Sequence, residues 1–301
     1  MKPGRPKSEP KSRNRAGKVF RTLLIVGGLV LSFLPFVLQH VQMAKTSSAL
    51  GEALQESRDK EKPELEAVLR SAREWNTRLA QTGSGIDSPE AAAQSAQDGA
   101  EQTEAALPGY EEELSWMVGG VMGILNIPRI QAELPVCHGT DEQTLASGAG
   151  HLSWSSLPCG GMDSHALLSS HRGMASASLF TRLDELEEGD VFLIENPYET
   201  LAYRVCAIET VEPQETERLG VQKGRNLVTL ITCTPYGLNT HRLLVTGERT
   251  EWNETLQEEV SQESQTIRMA SPRQIFLDAL PFLLVLLVLT GWMIRKRRSR
   301  C

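Results

Sequence analysis

Two long apolar runs lie near the ends of the chain. The first covers residues 22–38 (TLLIVGGLVLSFLPFVL), and the second covers residues 275–294 (IFLDALPFLLVLLVLTGWMI). With a rise of about 1.5 Å per residue, a helix of either length reaches across a hydrocarbon layer of ~30 Å. The pattern therefore predicts transmembrane helices at 22–41 and 275–294.

Each run also has an alternative interpretation. The first could belong to a cleaved signal peptide, because Ser47-Ser48-Ala49 offers small residues of the cleavage type. The second contains Asp278 and Pro281, which weaken it as a span. Both of these residues lie near its outer end, where a charge costs less than at the bilayer centre.

The region that follows the first run reads as helical over residues 46–80. Apolar residues recur there at helical spacing on one face, and Pro63 suits the first turn of a new helix. Two helices meeting near Lys62 are therefore expected. Residues 81–108 are rich in Gly, Ala, Gln and Ser, which predicts that the segment 81–114 is a linker or a lid-like flap.

The pattern changes to short β-type runs between residues 115 and 249. Runs rich in Val, Ile, Leu, Thr and Phe alternate with turns rich in Gly, Pro, Asp and Asn. Examples are GILNIPRI (123–130), DVFLIE (190–195), YRVCAIETV (203–211), LVTLIT (227–232) and RLLVTGE (242–248). This spacing predicts a mainly β domain, either a closed barrel or a sandwich. The polar residues 250–274 are expected to form a stalk that leads to the second apolar run.

The charge distribution gives the expected topology. The formal charges of residues 1–21 sum to +7, and those of residues 295–301 sum to +5. Because the whole chain has a net charge of −7, residues 22–294 together carry a charge of −19. Basic tails outside both apolar runs place both chain ends in the cytoplasm and residues ~39–274 outside. An acidic body argues against nucleic acid as a partner, since phosphate binding needs a basic surface.

One segment carries candidate chemistry. A β-rich run ends at Cys233, a Pro/Gly turn follows, and Arg242 opens the next run, so that a hairpin would bring Arg242 back to Cys233. A thiol nucleophile needs a proton acceptor and a group that stabilises an oxyanion, for which arginine is a fixed cation. The residues alone do not choose between His171, His165 and His241 as the acceptor. The chain has six histidines: His40, His138, His151, His165, His171 and His241.

The other cysteines have no evident chemistry. The count of five is odd and contains no CxxC pair, which excludes a zinc ribbon or a thioredoxin-type motif. Cys137, Cys159 and Cys206 lie in or beside β-runs and are expected to be small buried core residues. Cys301 follows a basic tail, a position that suits lipidation, although a plain terminal thiol is the default interpretation.

The segment TLITC (229–233) resembles the TLxTC signature of sortases, and Arg242 stands where the sortase arginine stands. The resemblance covers residues 115–249, points to the pilin-assembling class C, and extends to the second apolar run, which is typical of that class. Its further segments are NIPRI (126–130), LPVCHGT (134–140), GAGHLSWSSLPCGG (148–161), SHALLSSHRG (164–173), LFTRLDELEEGDVF (179–192) and TCTPYGLNTHRLLVTGER (232–249).

The resemblance implies a closed eight-stranded sortase-type β-barrel with N-terminal helices and two flanking transmembrane helices. It implies Cys233 as the nucleophile, His171 as the proton donor and acceptor, and Arg242 as the residue that orients the substrate and stabilises the oxyanion. His151, His165 and His241 would then lie in motifs around the site without a catalytic role.

The implied activity is transpeptidation outside a Gram-positive cell. The partners would be the membrane and pilin or surface proteins that carry LPxTG-like sorting signals, joined through lysine isopeptide bonds into a pilus. This chemistry requires no metal and no organic cofactor. The alternatives are anchoring of surface proteins to a cell-wall precursor, hydrolysis alone, and a non-catalytic membrane scaffold.

One feature departs from the class C pattern. Class C enzymes commonly carry a lid with an Asp-Pro-aromatic motif, but residues 81–114 contain no such triplet. The nearest string is Ile86-Asp87-Ser88-Pro89. An inhibitory lid of the usual kind is therefore not assigned to this segment.

Overall fold

The computed structural model describes residues 27–28, 49–82, 109–117, 119–173, 179–215 and 217–264. The chain divides into two units, Met1–Ala49 and Leu50–Cys301, and the architecture below is that of the second. The expected basic tails, the expected span at 275–294 and, apart from residues 27–28, the expected span at 22–41 lie outside the described residues. In the described part of the chain, no helix combines the length and the apolarity that crossing a membrane requires.

Eight strands close into a barrel, which confirms the expected mainly β fold and excludes the sandwich. Around the barrel the order is β1-β2-β3-β4-β7-β8-β6-β5. Most neighbours are antiparallel, but β2 pairs with β3, and β4 with β7, in parallel. The strands are β1 Val121–Ile127, β2 Ala132–His138, β3 Ala149–His151, β4 Ser164–Ser169, β5 Val191–Glu195, β6 Thr200–Val211, β7 Asn226–Thr234 and β8 His241–Thr250.

The described helices of this unit precede the barrel, connect two of its strands or follow its last strand. Two precede the barrel: α1 includes residues 50–58, and α2 is Lys62–Thr82. The short α3, Glu142–Ser147, connects β2 with β3, and α4 comprises residues 254–264 after β8. Single 3-10 turns occur at Tyr110–Glu112, Pro128–Ile130, Leu183–Glu185 and Glu217–Leu219.

The strands alternate between the barrel interior and an outer face, as their period of two requires. Val228 and Leu230 of β7 join the main core together with Phe192 of β5 and Tyr203 of β6. Ile231 instead belongs to a separate group of buried residues on the outer face, called here the outer cluster. Its members are Leu152, Trp154, Leu167, Val211, Leu219, Ile231 and Leu244. Odd-numbered residues of β7 therefore point outward, which fixes the side on which Cys233 lies.

Part of the stretch expected to form a polar stalk packs onto the barrel. Leu256 and Val260 of α4 are buried in one cluster with Val191, Leu193 and Ala202 of β5 and β6. Their spacing of four residues puts both side chains on one face of the helix, which buries that face and leaves Glu254, Glu258 and Glu259 exposed.

Helix α2 is held to the barrel by an apolar stripe and by one buried amide. Leu65, Leu69, Ala72 and Trp75 follow the helical period and are almost completely buried in the main core. Next to this stripe, Asn76 accepts a hydrogen bond from the Leu157 amide (2.7 Å) and donates one to the Leu157 carbonyl (3.0 Å). The Asn76 side chain thus bonds both the amide and the carbonyl of one residue in the β3–β4 connection, as the backbone of a neighbouring strand would.

Replacing Asn76 with alanine is expected to lower the free energy of unfolding by about 2 kcal/mol, because the Leu157 amide would be buried without a partner and the Leu157 carbonyl would keep only the bond from the Cys159 amide. Denaturant titration would measure the loss. The control is Thr77→Ala, since the Thr77 hydroxyl is exposed and, within the described part of the chain, bonds to the Arg73 carbonyl of its own helix alone. An Asn76→Ala protein as stable as the control would contradict the bridging role.

Candidate active site

Cys233 and Arg242 are directly opposite each other near the end of the β7–β8 pair. Ile231 and Leu244 form a pair on the same strands two residues away, so all four side chains share the outer face. Cys233 is half-buried, and Arg242 is only 7% exposed. The Arg242 Nη1 donates hydrogen bonds to the carbonyls of Asn239 and His241, at 3.2 Å each. The closeness of Cys233 and Arg242 expected from a hairpin is therefore observed.

The parallel pairing of β4 with β7 determines where His171 lies. Ser169 is in register with Ile231, the Ser170 amide donates to the Ile231 carbonyl (3.2 Å), and the Thr232 hydroxyl donates to the Ser170 carbonyl (2.9 Å). His171 lies two residues beyond Ser169, and Cys233 lies two residues beyond Ile231, so the two residues continue the register of this pair. Because β4, β7 and β8 are neighbours, His171, Cys233 and Arg242 meet at one end of three adjacent strands.

The loops at this end of the barrel also meet. Tyr236, in the β7–β8 loop, is 60% exposed, and its ring packs against Gly173 in the turn that follows His171. Gly173 has a φ of +85°, and a Cβ there would lie 2.6 Å from the Tyr236 ring. Glycine is therefore required at this position both for the backbone conformation and for the close approach.

Below the site, His165 fastens the β6–β7 connection to the outer face of the sheet. Its Nδ1 is 2.9 Å from the Gly220 carbonyl, to which it donates, and its Nε2 is 2.7 Å from the Thr229 hydroxyl. That hydroxyl lies 2.8 Å from the hydroxyl of Thr246. Burial lowers the pKa of His165, which fits a neutral ring that donates at one nitrogen and accepts at the other.

His151 has an equally structural environment. It is completely buried, with its Nδ1 2.8 Å from the Tyr110 hydroxyl and its Nε2 2.8 Å from the Ser156 carbonyl. Burial lowers its pKa to about 4 and raises that of Tyr110 above its ordinary range. Neither side chain has access to a substrate.

The remaining histidines differ in position. His138 lies between the carbonyls of Gly120 and Glu113, at 3.0 and 2.8 Å. His241 pairs with Thr234 across β7–β8, next to the Cys233–Arg242 pair, and its Nδ1 is 2.8 Å from the Thr240 hydroxyl. His40 lies outside the described residues. Of the five described histidines, His171 is the one that continues β4 beside Cys233.

The four described cysteines are free thiols, and the expectation that three of them are buried core residues holds for one. Cys159 is buried, which raises its pKa to about 12. Cys137 is half-buried, and its pKa is raised chiefly by desolvation. Cys206 is exposed, because the pairing of β6 with β8 shifts register between Val205 and Ala207. Cys301 lies outside the described residues.

The sequence did not single out Arg172, although its side chain is only 8% exposed and contacts the residue after Cys233. The only signal for it was its place between His171 and a glycine, which is not specific. Among the described residues, no group of three or more His, Cys, Asp or Glu side chains is placed to hold a metal ion.

Comparison with known proteins places this arrangement in a family. Residues 125–250 match the family described as "Sortase domain". The curated Sortase D of Bacillus subtilis (strain 168) is 33% identical over 134 residues, which are 44% of this chain and 65% of that protein. The chain therefore spans just under two thirds of that relative's length.

Solved structures give longer matches. Sortase C1 from Streptococcus agalactiae is 35% identical with a TM-score of 0.60, and the match covers 68% of this chain and 100% of that one. Sortase C from Streptococcus pneumoniae is 34% identical with a TM-score of 0.56, covering 68% and 97%. These matches cover nearly the whole of both solved sortases, and this chain carries the Cys233 thiol, the His171 imidazole and the Arg242 guanidinium at one end of its barrel. The chain belongs to the sortase family.

Proposed function

We propose that this protein is a membrane-anchored cysteine transpeptidase that cleaves LPxTG-like sorting signals and joins pilin subunits through lysine isopeptide bonds. The observation that carries the proposal is the register that brings Cys233, His171 and Arg242 to one end of β4, β7 and β8. The pilin acceptor is supported by the S. pneumoniae sortase C structure, which is described in terms of pilin substrate specificity.

In the first half of the proposed reaction, the Cys233 thiol gives its proton to His171, and its sulfur attacks the carbonyl carbon of the signal's threonine. The carbonyl electrons move onto oxygen, where the Arg242 guanidinium stabilises the oxyanion. The carbon–nitrogen bond then breaks, and His171 gives its proton to the departing glycine amine. The enzyme is left with a thioester on Cys233 and a neutral imidazole.

In the second half, a lysine amine of another subunit attacks the thioester carbon. His171 takes a proton from the amine, the carbon–sulfur bond breaks, and the Cys233 thiolate leaves with its electron pair. An isopeptide bond replaces the peptide bond that was cut, so no external source of energy is needed.

Membrane attachment is part of the proposal. It is supported by the two apolar runs and by the basic tails outside them, which together would hold the barrel outside the cell. Holding the enzyme and its membrane-bound substrates in one plane raises their effective concentration.

The full-length protein, solubilised in detergent, is expected to form a covalent adduct with an LPxTG-type peptide, visible as a mass increase by intact mass spectrometry. Cys233→Ala should form none, and an added amine should release the adduct from the unaltered enzyme. The matched control is Cys206→Ala, which removes the exposed thiol and should leave the adduct intact.

Two outcomes would contradict parts of this function. If the unaltered protein forms no adduct with any of several motif variants, the transpeptidase activity is wrong and the scaffold alternative is favoured. If the adduct forms but is released only by water or by a cell-wall-type amine and never by a lysine side chain, the thioester chemistry stands and the pilin acceptor is wrong.

A further inference from the structure

The backbone ladder that aligns β4 with β7 stops before the proposed catalytic residues. Its last backbone bond runs from the Ser170 amide to the Ile231 carbonyl, and the Thr232 side-chain hydroxyl then donates to the Ser170 carbonyl. His171 and Cys233 both lie beyond these contacts. Another interaction must therefore hold the two residues at a constant separation.

The Arg172 side chain makes such an interaction. Its Nη1 donates to the Thr234 hydroxyl at 2.9 Å, and its Nη2 lies 2.6 Å from the Asp184 carboxylate. Arg172 directly follows His171, Thr234 directly follows Cys233, and Asp184 belongs to the 3-10 turn Leu183–Glu185. One guanidinium therefore joins the ends of both strands to a third segment.

Neighbouring contacts hold the same stretch of backbone. The Phe180 amide donates to the His171 carbonyl at 3.2 Å, and the Gly173 amide donates to the Thr181 hydroxyl at 3.1 Å. Both bonds link the turn after β4 to the returning segment that also carries Asp184. Neither of these two bonds reaches β7. The bond from Arg172 to Thr234, by contrast, links the turn after β4 to the strand that carries Cys233.

The position of Arg172 separates it from the reacting atoms. Its partner Thr234 follows Cys233 in β7, and successive residues of a strand point to opposite faces. The guanidinium therefore lies on the side of the sheet away from the Cys233 sulfur. Its buried Nε has no hydrogen-bond partner among the described residues, so the polar contacts of the group are those of its two Nη atoms.

We propose that Arg172 is a positioning residue that fixes His171 relative to Cys233 by bridging Thr234 and Asp184. The inference rests on the proposed function, in which His171 and Cys233 exchange a proton with the substrate. Lysine keeps the charge but cannot reach both partners in the fork geometry of a guanidinium. Arg172→Lys therefore tests geometry separately from charge.

The first measurement is steady-state kinetics of the full-length enzyme. Arg172→Lys should lower kcat for an LPxTG-type peptide by about 10- to 100-fold, because proton transfer is sensitive to small displacements. KM should change less than about twofold, since the residue does not contact substrate. The matched control is Arg182→Lys, which alters an arginine paired with Glu185 in the same region but without a contact to β7.

The second measurement is the pH profile of iodoacetamide alkylation at Cys233, quantified by peptide mass spectrometry with Cys206 as the internal reference. Iodoacetamide reacts with the thiolate, and His171 is the proton partner of Cys233 in the proposed function, so the Arg172→Lys profile should move toward the His171→Ala profile. In the His171→Ala background, Arg172→Lys should cause no further shift. A residue that merely stabilises the fold would leave the profile unchanged.

The inference is overturned if the Arg172→Lys profile superimposes on that of the unaltered enzyme, or if the shift persists without His171. Thr234→Val and Thr234→Ser provide a second route if Arg172→Lys does not fold: valine should reproduce the loss of kcat, and serine should retain most of it. Failure of the unaltered enzyme to form a peptide adduct would instead refute the proposed function.

Discussion

Replacing Arg242 with lysine is expected to lower kcat/KM for an LPxTG-type peptide by about 10²- to 10³-fold, the usual effect of removing one oxyanion-stabilising donor. Arg242 is 7% exposed, and backbone carbonyls hold its guanidinium opposite Cys233. A lysine would keep the positive charge but would lose the planar set of donors that can contact the backbone and an oxyanion together.

The measurement is a comparison of peptide cleavage rates with melting temperatures recorded in parallel. Arg249→Lys is the matched control, because Arg249 lies on the same strand but is seven residues from the Cys233–Arg242 pair and donates to the carbonyls of Ala202 and Thr250. It should cleave the peptide at the normal rate. Equal rates for the two variants would show that Arg242 has no role in the chemistry.

The second large effect is a loss of stability in mild acid, caused chiefly by His151, with a smaller contribution in the same direction from the buried His165. For His151, the folded pKa of about 4 lies below the ordinary value of 6.5 because the neutral ring is completely buried. The unfolded chain therefore binds a proton that the folded chain does not. The stabilising contribution is fully present above pH 6.5 and is lost as the pH falls toward 4. A shift of this size corresponds to a contribution on the order of 3 kcal/mol.

Urea titrations at intervals between pH 7 and pH 4 would measure this loss, and His151→Gln is the comparison. The variant should be less stable at pH 7, since the contacts with Tyr110 and Ser156 are disturbed, but its stability should change less between pH 6.5 and pH 5. Carboxylates with lowered pKa values, such as Glu185 and Glu248, act only at lower pH. Parallel curves for the two proteins would contradict the assignment to His151.

The sequence pattern was sufficient for β1 and for β5 to β8, because their apolar runs are short and are bounded by turn residues, whereas the full count of eight strands required the family resemblance. It also placed Arg242 beside Cys233, since β7 and β8 are consecutive and their register follows from a short connection. Choosing His171 required the family resemblance, because the pairing of β4 with β7 is parallel and no local pattern specifies a parallel partner. The structure supplies that pairing directly.

Other features depended on side-chain and backbone details that periodicity does not encode. Cys206 was expected in the core, but the register shift beside it turns the thiol to solvent. Leu256 and Val260 lie in a segment whose composition is polar, and only their spacing hints that they pack on the barrel. The bridge made by Arg172 depends on three segments meeting, which a one-dimensional pattern cannot reveal.

The parallel pairing of β4 with β7 also has a consequence for folding. The two strands are separated by about sixty residues that include β5 and β6, so the loop that must close before they pair is long. Contacts between residues so distant in sequence form slowly. A chain that has not yet made this pairing carries the thiol of Cys233 apart from His171. The reactive pair is therefore assembled only when the barrel closes, and a partly folded chain lacks it.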